Sequence, residues 1–168
     1  MIIRAEAEAD HGQIRDLTRT AFAPMPYASG SEAAIIDGLR TADALTVSLV
    51  ATDASQIVGH VAFSPVTIAG ENVRWYGLGP VSVWPDRQRA GIGQALIREG
   101  LSQLRHLDAA GCVVLGDPAY YARFGFAADP ALTYAGAPSR YFQCLSFRPP
   151  PPRGEVRFHP AFDIETTP

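Results

Sequence analysis

Seven consecutive residues, Gln88-Arg89-Ala90-Gly91-Ile92-Gly93-Gln94, combine side-chain donors with two glycines. They follow a strand-like segment that ends at Val83-Trp84-Pro85, and they open a segment with helical spacing. A helix start carries unpaired N–H groups and the positive end of the helix dipole. Glycines there let the backbone come close to a bulky anion, so the chemistry fits a pyrophosphate. Farther on, Tyr121 stands four residues before Gly125 in Tyr121-Ala122-Arg123-Phe124-Gly125-Phe126. Tyrosine has an ordinary pKa of about 10, stays protonated at neutral pH and can act as an acid. The two together suggest a nucleotide-like cofactor with a proton donor near its reactive end.

Two other phosphate-binding patterns fail on the residues themselves. The dinucleotide fingerprint needs a small residue three positions after Gly93, where this chain has Leu96. The P-loop needs a lysine, and all fourteen basic residues are arginine.

The elements that would position these residues follow from periodicity and turn chemistry. Met1–Ala5 is expected to be a first strand. Asp10 can cap a helix over Gly12–Phe22, with Ile14, Leu17, Thr18 and Ala21 on one face. Ala23–Gly30 reads as a loop, and Ser29 or Ser31 can cap a second helix carrying Ile35, Ile36 and Leu39. Leu45–Thr52 and Gln56–Ile68 read as a hairpin around Asp53-Ala54-Ser55. After a turn at Gly70-Glu71-Asn72, Val73–Val83 continues the meander. Gly77, Gly79 and Pro80 interrupt that strand, because proline cannot donate to a ladder and strand glycine marks a bulge. The ladder should therefore break there, leaving backbone groups that need a partner. A helix then runs from Gly91 to about Asp108, stopped by Gly111. The buried strand Cys112–Leu115 should lie parallel to its neighbour. A short helix over Ala119–Phe124, a last strand over Arg140–Phe147 and a polyproline stretch over Pro149–Pro152 complete the series, and Glu155–Phe158 can add an edge strand.

A chain of 168 residues with a net charge of −3 implies one domain and offers no electrostatic case for nucleic acid or an anionic membrane. No run reaches the roughly 18 apolar residues of a membrane span, and no secretory signal is visible. A cytoplasmic location is expected. Cys112 and Cys144 lack metal or redox spacing and read as buried free thiols. No metal is expected.

Gln88-x-x-Gly91-x-Gly93 preceded by Val83-x-Pro85 resembles the acetyl-CoA pyrophosphate motif of the GNAT superfamily of N-acetyltransferases. Tyr121-x-x-x-Gly125-Phe126 is similar to that superfamily's tyrosine–glycine–phenylalanine element. Leu78-Gly79-Pro80-Val81, Val114-Leu115-Gly116-Asp117-Pro118 and Gly154-Glu155-Val156-x-Phe158 look most like its bacterial YhbS-like branch. The resemblance covers about Met1–Phe147. It implies an α/β (α+β) acyltransferase fold: a mixed, mostly antiparallel sheet of six to seven strands, flanked by about four helices and splayed between the fourth and fifth strands. The domain would span 1–148, with a proline-rich tail over 149–168.

The resemblance also implies roles. Gln88, Arg89, Ala90, Gly91, Ile92, Gly93 and Gln94 would hold the pyrophosphate of acetyl-CoA. Val81 and Val83 would offer main-chain groups to the pantetheine arm, and Tyr121 would protonate the departing thiolate. Family members often take the general base from a carboxylate on the strand before the turn, but Leu78–Val83 contains none. His60, Glu71 and Tyr76 are the polar candidates nearby, with a water relay as the default. Tyr27, Ser29 and Glu32 stand where this fold contacts its acceptor, and Tyr134 and Tyr141 can line the far side. The leading expectation is acetyl transfer to an amine. A non-catalytic acyl-CoA-binding module is the alternative, and a nicotinamide-dependent oxidoreductase is disfavoured by Leu96. The acceptor and the oligomeric state, a homodimer included, stay open.

Overall fold

The computed structural model describes residues 1–26 and 28–163. Its main sheet has six strands in the order β1-β2-β3-β5-β6-β8. These are β1 (Ile2–Ala5), β2 (Val47–Asp53), β3 (Gln56–Pro65), β5 (Trp75–Val83), β6 (Gly111–Leu115) and β8 (Phe142–Ser146). Pairing is antiparallel except between β5 and β6, which run parallel. A second sheet joins β4 (Thr67–Ile68), β9 (Gly154–Arg157) and β7 (Leu132–Thr133) in the order β4-β9-β7. The strand expected at Glu155–Phe158 thus lies between two others, not at an edge. Phe158 beyond it packs under Gly77, and Phe162 packs with Leu45 against Ile35 and Leu39.

The helices cover both faces. α1 (His11–Phe22) and α2 (Glu32–Thr41) lie on one side, where Ile14, Leu17 and Ile36 meet Val50 and Ile57. α3 (Ile92–His106) lies on the other, burying Ile92, Leu96, Ile97, Leu101 and Leu104 against Leu49, Val61 and Phe63. One-turn α4 (Pro118–Tyr121) continues as a 3₁₀ turn over Ala122–Phe124. α3 sits very close to the sheet at Gly100, where an added Cβ would lie 2.1 Å from Cε2 of the fully buried Phe63. Gly100→Ala is therefore expected to destabilise the fold. Alanine gains up to about 1 kcal/mol in helix propensity, but overpacking against an immobile ring costs more, for a net loss of about 2 kcal/mol. Urea unfolding checks this, and an unchanged midpoint would mean that the ring has room to move.

Three helix-end expectations are corrected. Asp10 precedes α1, but its side chain makes no cap to it. Its carboxylate instead accepts from Ala7 N–H at 2.7 Å and from Arg4, because a 3₁₀ turn over Glu8–Asp10 comes first. Ser31 is the residue before α2, again without a side-chain cap; its N–H is held by Ser29 Oγ at 3.2 Å. α3 ends at Leu107 and at Asp108 (φ +60°) rather than at Gly111. Gly111 belongs to β6, and its missing side chain makes room for the Trp75 ring.

Candidate active site

The break in β5 builds a cleft. Val61 pairs with Val81 but Phe63 pairs with Leu78, so Gly79 (φ +132°) and Pro80 oppose the single residue Ala62. That is the bulge read from the sequence. Trp84 N–H donates to Val58 C=O at 3.2 Å, which sets the phase of the ladder beyond it. In an antiparallel pair, hydrogen-bonded and non-bonded positions alternate. Ser82 and His60 therefore bond each other, and the main-chain groups of Val81 and Val83 point away from β3. On that side β6 pairs with β5 only along Trp75–Gly77. Val81 and Val83 thus present their backbone to an open splay between the fourth and fifth strands of the sheet. Gln88 Nε2 donates to the Val83 carbonyl at 3.1 Å, so Val81 N–H, Val81 C=O and Val83 N–H are the groups with no strand beside them.

The splay leads to the start of α3. After the 3₁₀ turn Pro85–Arg87, Arg89 (φ +65°) and Gly91 (φ +84°) take left-handed backbone and turn the chain into the helix. Glycine holds this conformation without the strain a side chain would bring. No side chain caps α3, and its first internal bond is Ala95 N–H to Gly91 C=O at 3.0 Å. The N–H groups of Ile92, Gly93 and Gln94 precede that bond and have no partner inside the helix. Gln88, Arg89 and Ala90 are exposed beside them. α4 contrasts with this, since Asp117 accepts Ala119 N–H at 2.9 Å and caps it.

Two tyrosines stand on α4, which follows β6, the second strand of the splay. Tyr121 is half-buried, with its ring against Gly116, where an added Cβ would lie 2.5 Å from Cε2. Phe124 and Phe126 flank it at centroid distances of 6.1 and 6.0 Å. Tyr120 packs edge-on to Tyr121 at 5.0 Å. Its hydroxyl reaches the helix start, 3.5 Å from where a Cβ on Gly93 would be. Burial raises the Tyr120 pKa against the lowering effect of Arg123 and Arg98, so the hydroxyl remains a donor at neutral pH. Arg123 lies over the Tyr120 ring at 4.5 Å and bonds the Tyr120 carbonyl at 2.8 Å. From sequence, Tyr120 reads as packing alone; only the fold brings its hydroxyl to Gly93.

An acetyltransferase (GNAT) domain model matches residues 2–128. The chain belongs to the GNAT acetyltransferase family. It is 42% identical to the N-acetyltransferase YhbS of Escherichia coli (strain K12) over 127 residues, 75% of this chain and 73% of that one. A GNAT family acetyltransferase from Brucella melitensis, solved in complex with acetyl-CoA, is 53% identical with a TM-score of 0.88, over 96% of this chain and 97% of that one. YhbS from Escherichia coli, solved with CoA, gives a TM-score of 0.88 and 34% identity, over 97% and 92%.

The remaining GNAT site candidates separate in space. Tyr27 lies outside the described residues. Ser29 N–H donates to Glu32 Oε1 at 2.9 Å, which ties that carboxylate to the turn entering α2. Tyr76 is half-buried on the α3 side of β5, opposite Cys112. Glu71 is exposed in the turn after β4. Tyr134 stacks on Phe142 at 5.3 Å and meets Phe158 edge-on at 5.2 Å, and Tyr141 is exposed beneath Arg140.

His60 is fully buried on the α1 side of the sheet. Its Nε2 is 2.8 Å from Ser48 Oγ, and Ser48 donates to Glu6 Oε1. Glu6 also receives Arg40 Nε and His11 Nε2, each at 2.9 Å. No local spacing links residues 6, 11, 40, 48 and 60, so this cluster is absent from the sequence reading. Among the described residues, no group of three or more His, Cys, Asp or Glu can hold a metal, and no helix is long and apolar enough to cross a membrane.

Proposed function

We propose that the chain moves the acetyl group of acetyl-CoA to an amine by direct attack in a ternary complex. The observation that carries this is one continuous path. The outward N–H groups of Val81 and Val83 run into the uncapped start of α3, and Tyr121 stands on α4, which follows β6, the other strand of the splay. The α3 N–H groups would bind the pyrophosphate, and the β5 edge would bind the amides of the pantetheine arm. Val81 N–H would then stabilise the oxyanion formed when the amine attacks the thioester carbonyl. The C–N bond forms, the C–S bond breaks, and Tyr121 protonates the leaving thiolate. Direct attack also suits the cysteines. Burial pushes the Cys112 thiol far up and Cys144 up to about 11, so neither is an activated nucleophile.

An acceptor screen tests this reading: polyamines, aminoglycosides, amino acids and peptides with free N-termini, each assayed with acetyl-CoA for release of free thiol. Amine-dependent release with no acetylated protein by mass spectrometry is the expected result. With no lysine in the chain, self-acetylation has few places to occur. Acetyl-CoA binding with no release for any amine would favour the non-catalytic acyl-CoA-binding reading, which the carboxylate-free Leu78–Val83 segment leaves standing.

Gly93→Ala separates binding from folding. Its Cβ would meet only Tyr120 Oη at 3.5 Å and Val83 Cγ2 at 3.9 Å, which is ordinary contact. Stability should hold or rise slightly, since alanine favours helix. Acetyl-CoA affinity should fall about tenfold, ~1.4 kcal/mol, because the methyl group stands where the anion approaches. Calorimetric titration checks it.

A further inference from the structure

The reaction must take a proton from the acceptor, because an alkylamine is an ammonium ion at neutral pH. The cleft strand offers no carboxylate for this. The cluster around His60 supplies a base instead, and its hydrogen bonds fix which ring nitrogen is basic. Ser48 has one hydroxyl proton, and it is spent on the Glu6 carboxylate, which can only accept. The contact of 2.8 Å between Ser48 Oγ and His60 Nε2 therefore has Nε2–H as its donor. A neutral imidazole with its proton on Nε2 has a bare lone pair on Nδ1. That Nδ1 is buried and has no hydrogen-bond partner among the described residues. Such a group needs an explanation, since buried polar atoms are nearly always paired.

The register puts His60 on the strand that pairs with the cleft strand. His60 is directly across from Ser82 on β5. Ser82 is next in the chain to Val81, whose backbone opens on the splay. The surroundings on that side of the sheet are polar: Ser82 Oγ donates to Thr18 Oγ1 at 3.4 Å, and both residues are buried. The groups facing His60 come from every neighbouring element. They are Glu6 after β1, Ser48 on β2, Ser82 on β5, and, through Glu6, His11 on α1 and Arg40 on α2. At the outer end, a cavity of about 300 Å³ lined by Glu6, Arg40, Ser48 and Gln103 opens the cluster to solvent.

We propose that His60 is the relay that takes the acceptor's proton, through one water held at Nδ1, with Ser48 and Glu6 steadying the imidazolium from the far side. The ammonium gives its proton to the water as the water gives one to Nδ1. The freed lone pair on the amine nitrogen forms the bond to the acetyl carbon. His60, now cationic, donates from Nε2 to Ser48, which donates to the Glu6 carboxylate, and the extra proton returns to solvent after turnover. Burial lowers the His60 pKa against the raising effect of Glu6, so the ring is neutral and ready to accept at pH 7.

The inference rests on the acetyltransferase reading, and one experiment distinguishes the failure of each. The pH dependence of thiol release is measured for the wild type, His60→Gln and Ser48→Ala, using the best amine of the screen above. With the relay, the ammonium is deprotonated inside the complex, and the wild-type rate is flat between about pH 7 and pH 9. Without it, only amine that binds already neutral can react. The His60→Gln rate is then expected to fall by roughly a hundredfold at pH 7 and to climb about tenfold per pH unit. Ser48→Ala, the milder change, should fall between the two, with acetyl-CoA affinity kept in both variants. A His60→Gln protein with a flat wild-type profile overturns the relay, whatever its rate. A rate loss of equal size at every pH overturns it too, since that marks a structural role. No thiol release by the wild type with any amine overturns the acetyltransferase reading itself, and the relay with it.

Discussion

Tyr121→Phe is expected to lower the turnover number by a hundredfold or more, the usual contribution of a positioned general acid, while acetyl-CoA binds as tightly as before. The ring is held by Gly116 on one face and by Phe124 and Phe126 around it, so phenylalanine fills the same space. Only the hydroxyl is lost, and with it the proton for the departing thiolate. The loss should appear in the turnover number rather than in acetyl-CoA affinity, because the interaction matters in the transition state and not in the ground state. Steady-state rates of thiol release, set beside a binding titration, check this. Unchanged turnover would remove Tyr121 from the chemistry and leave Tyr120, whose hydroxyl lies at the helix start, as the tyrosine to examine.

Glu6→Gln is expected to cost about 3 kcal/mol of stability at neutral pH, toward the low end for breaking a buried ion pair. The side chain is 13% exposed and holds Arg40 and His11 together while accepting from Ser48. Glutamine has the shape but not the charge, so the Arg40 guanidinium, itself 19% exposed, keeps only Asp37 as its anion. That remaining partner is why the cost stays at the low end. Burial would raise the Glu6 pKa, but the nearby His60 ring, with Nε2 3.7 Å away, the hydrogen bonds from Arg40 and Ser48 and the Arg40 charge outweigh it and hold the carboxyl far below its ordinary range. A depressed folded-state pKa stabilises the protein at pH values above the unfolded value of 4.5. That stabilisation fades as acid is added below it, because the unfolded chain then takes up the proton more readily. Urea unfolding should thus show a wide gap between wild type and variant at pH 7 that narrows as the pH falls below 4.5. A gap that stays constant into acid would mean that the carboxylate's charge contributes nothing to the fold.

The parts of the site legible in the sequence are those that lie along one stretch of chain. Gly79 and Pro80 announced a broken strand, because their backbone limits act locally, and the bulge stands opposite Ala62. The α3 start was legible for the same reason, since Gly91 is needed for its own backbone angle. Periodicity placed most strands and the long helices within a few residues. What stayed hidden depends on tertiary neighbours. Glu6, His11, Arg40, Ser48 and His60 come from separate elements and meet only when the sheet and two helices close over them. Tyr120 and Tyr121 are chemically alike in sequence, and only the path of α4 separates a hydroxyl at the α3 start from a ring against Gly116. The helix caps misled because a side chain able to cap had a better partner, as Asp10 does in Arg4.

Thermal unfolding with and without acetyl-CoA, with NADH as the control ligand, tests the central claim most directly. A ligand at a hundred times its dissociation constant stabilises a protein by about 2.7 kcal/mol. The expected result is a clear rise in unfolding temperature with acetyl-CoA alone, reduced in Gly93→Ala. No rise at millimolar acetyl-CoA, or an equal rise with NADH, would contradict it, for the open β5 edge and the uncapped α3 start would then not be an acetyl-CoA site.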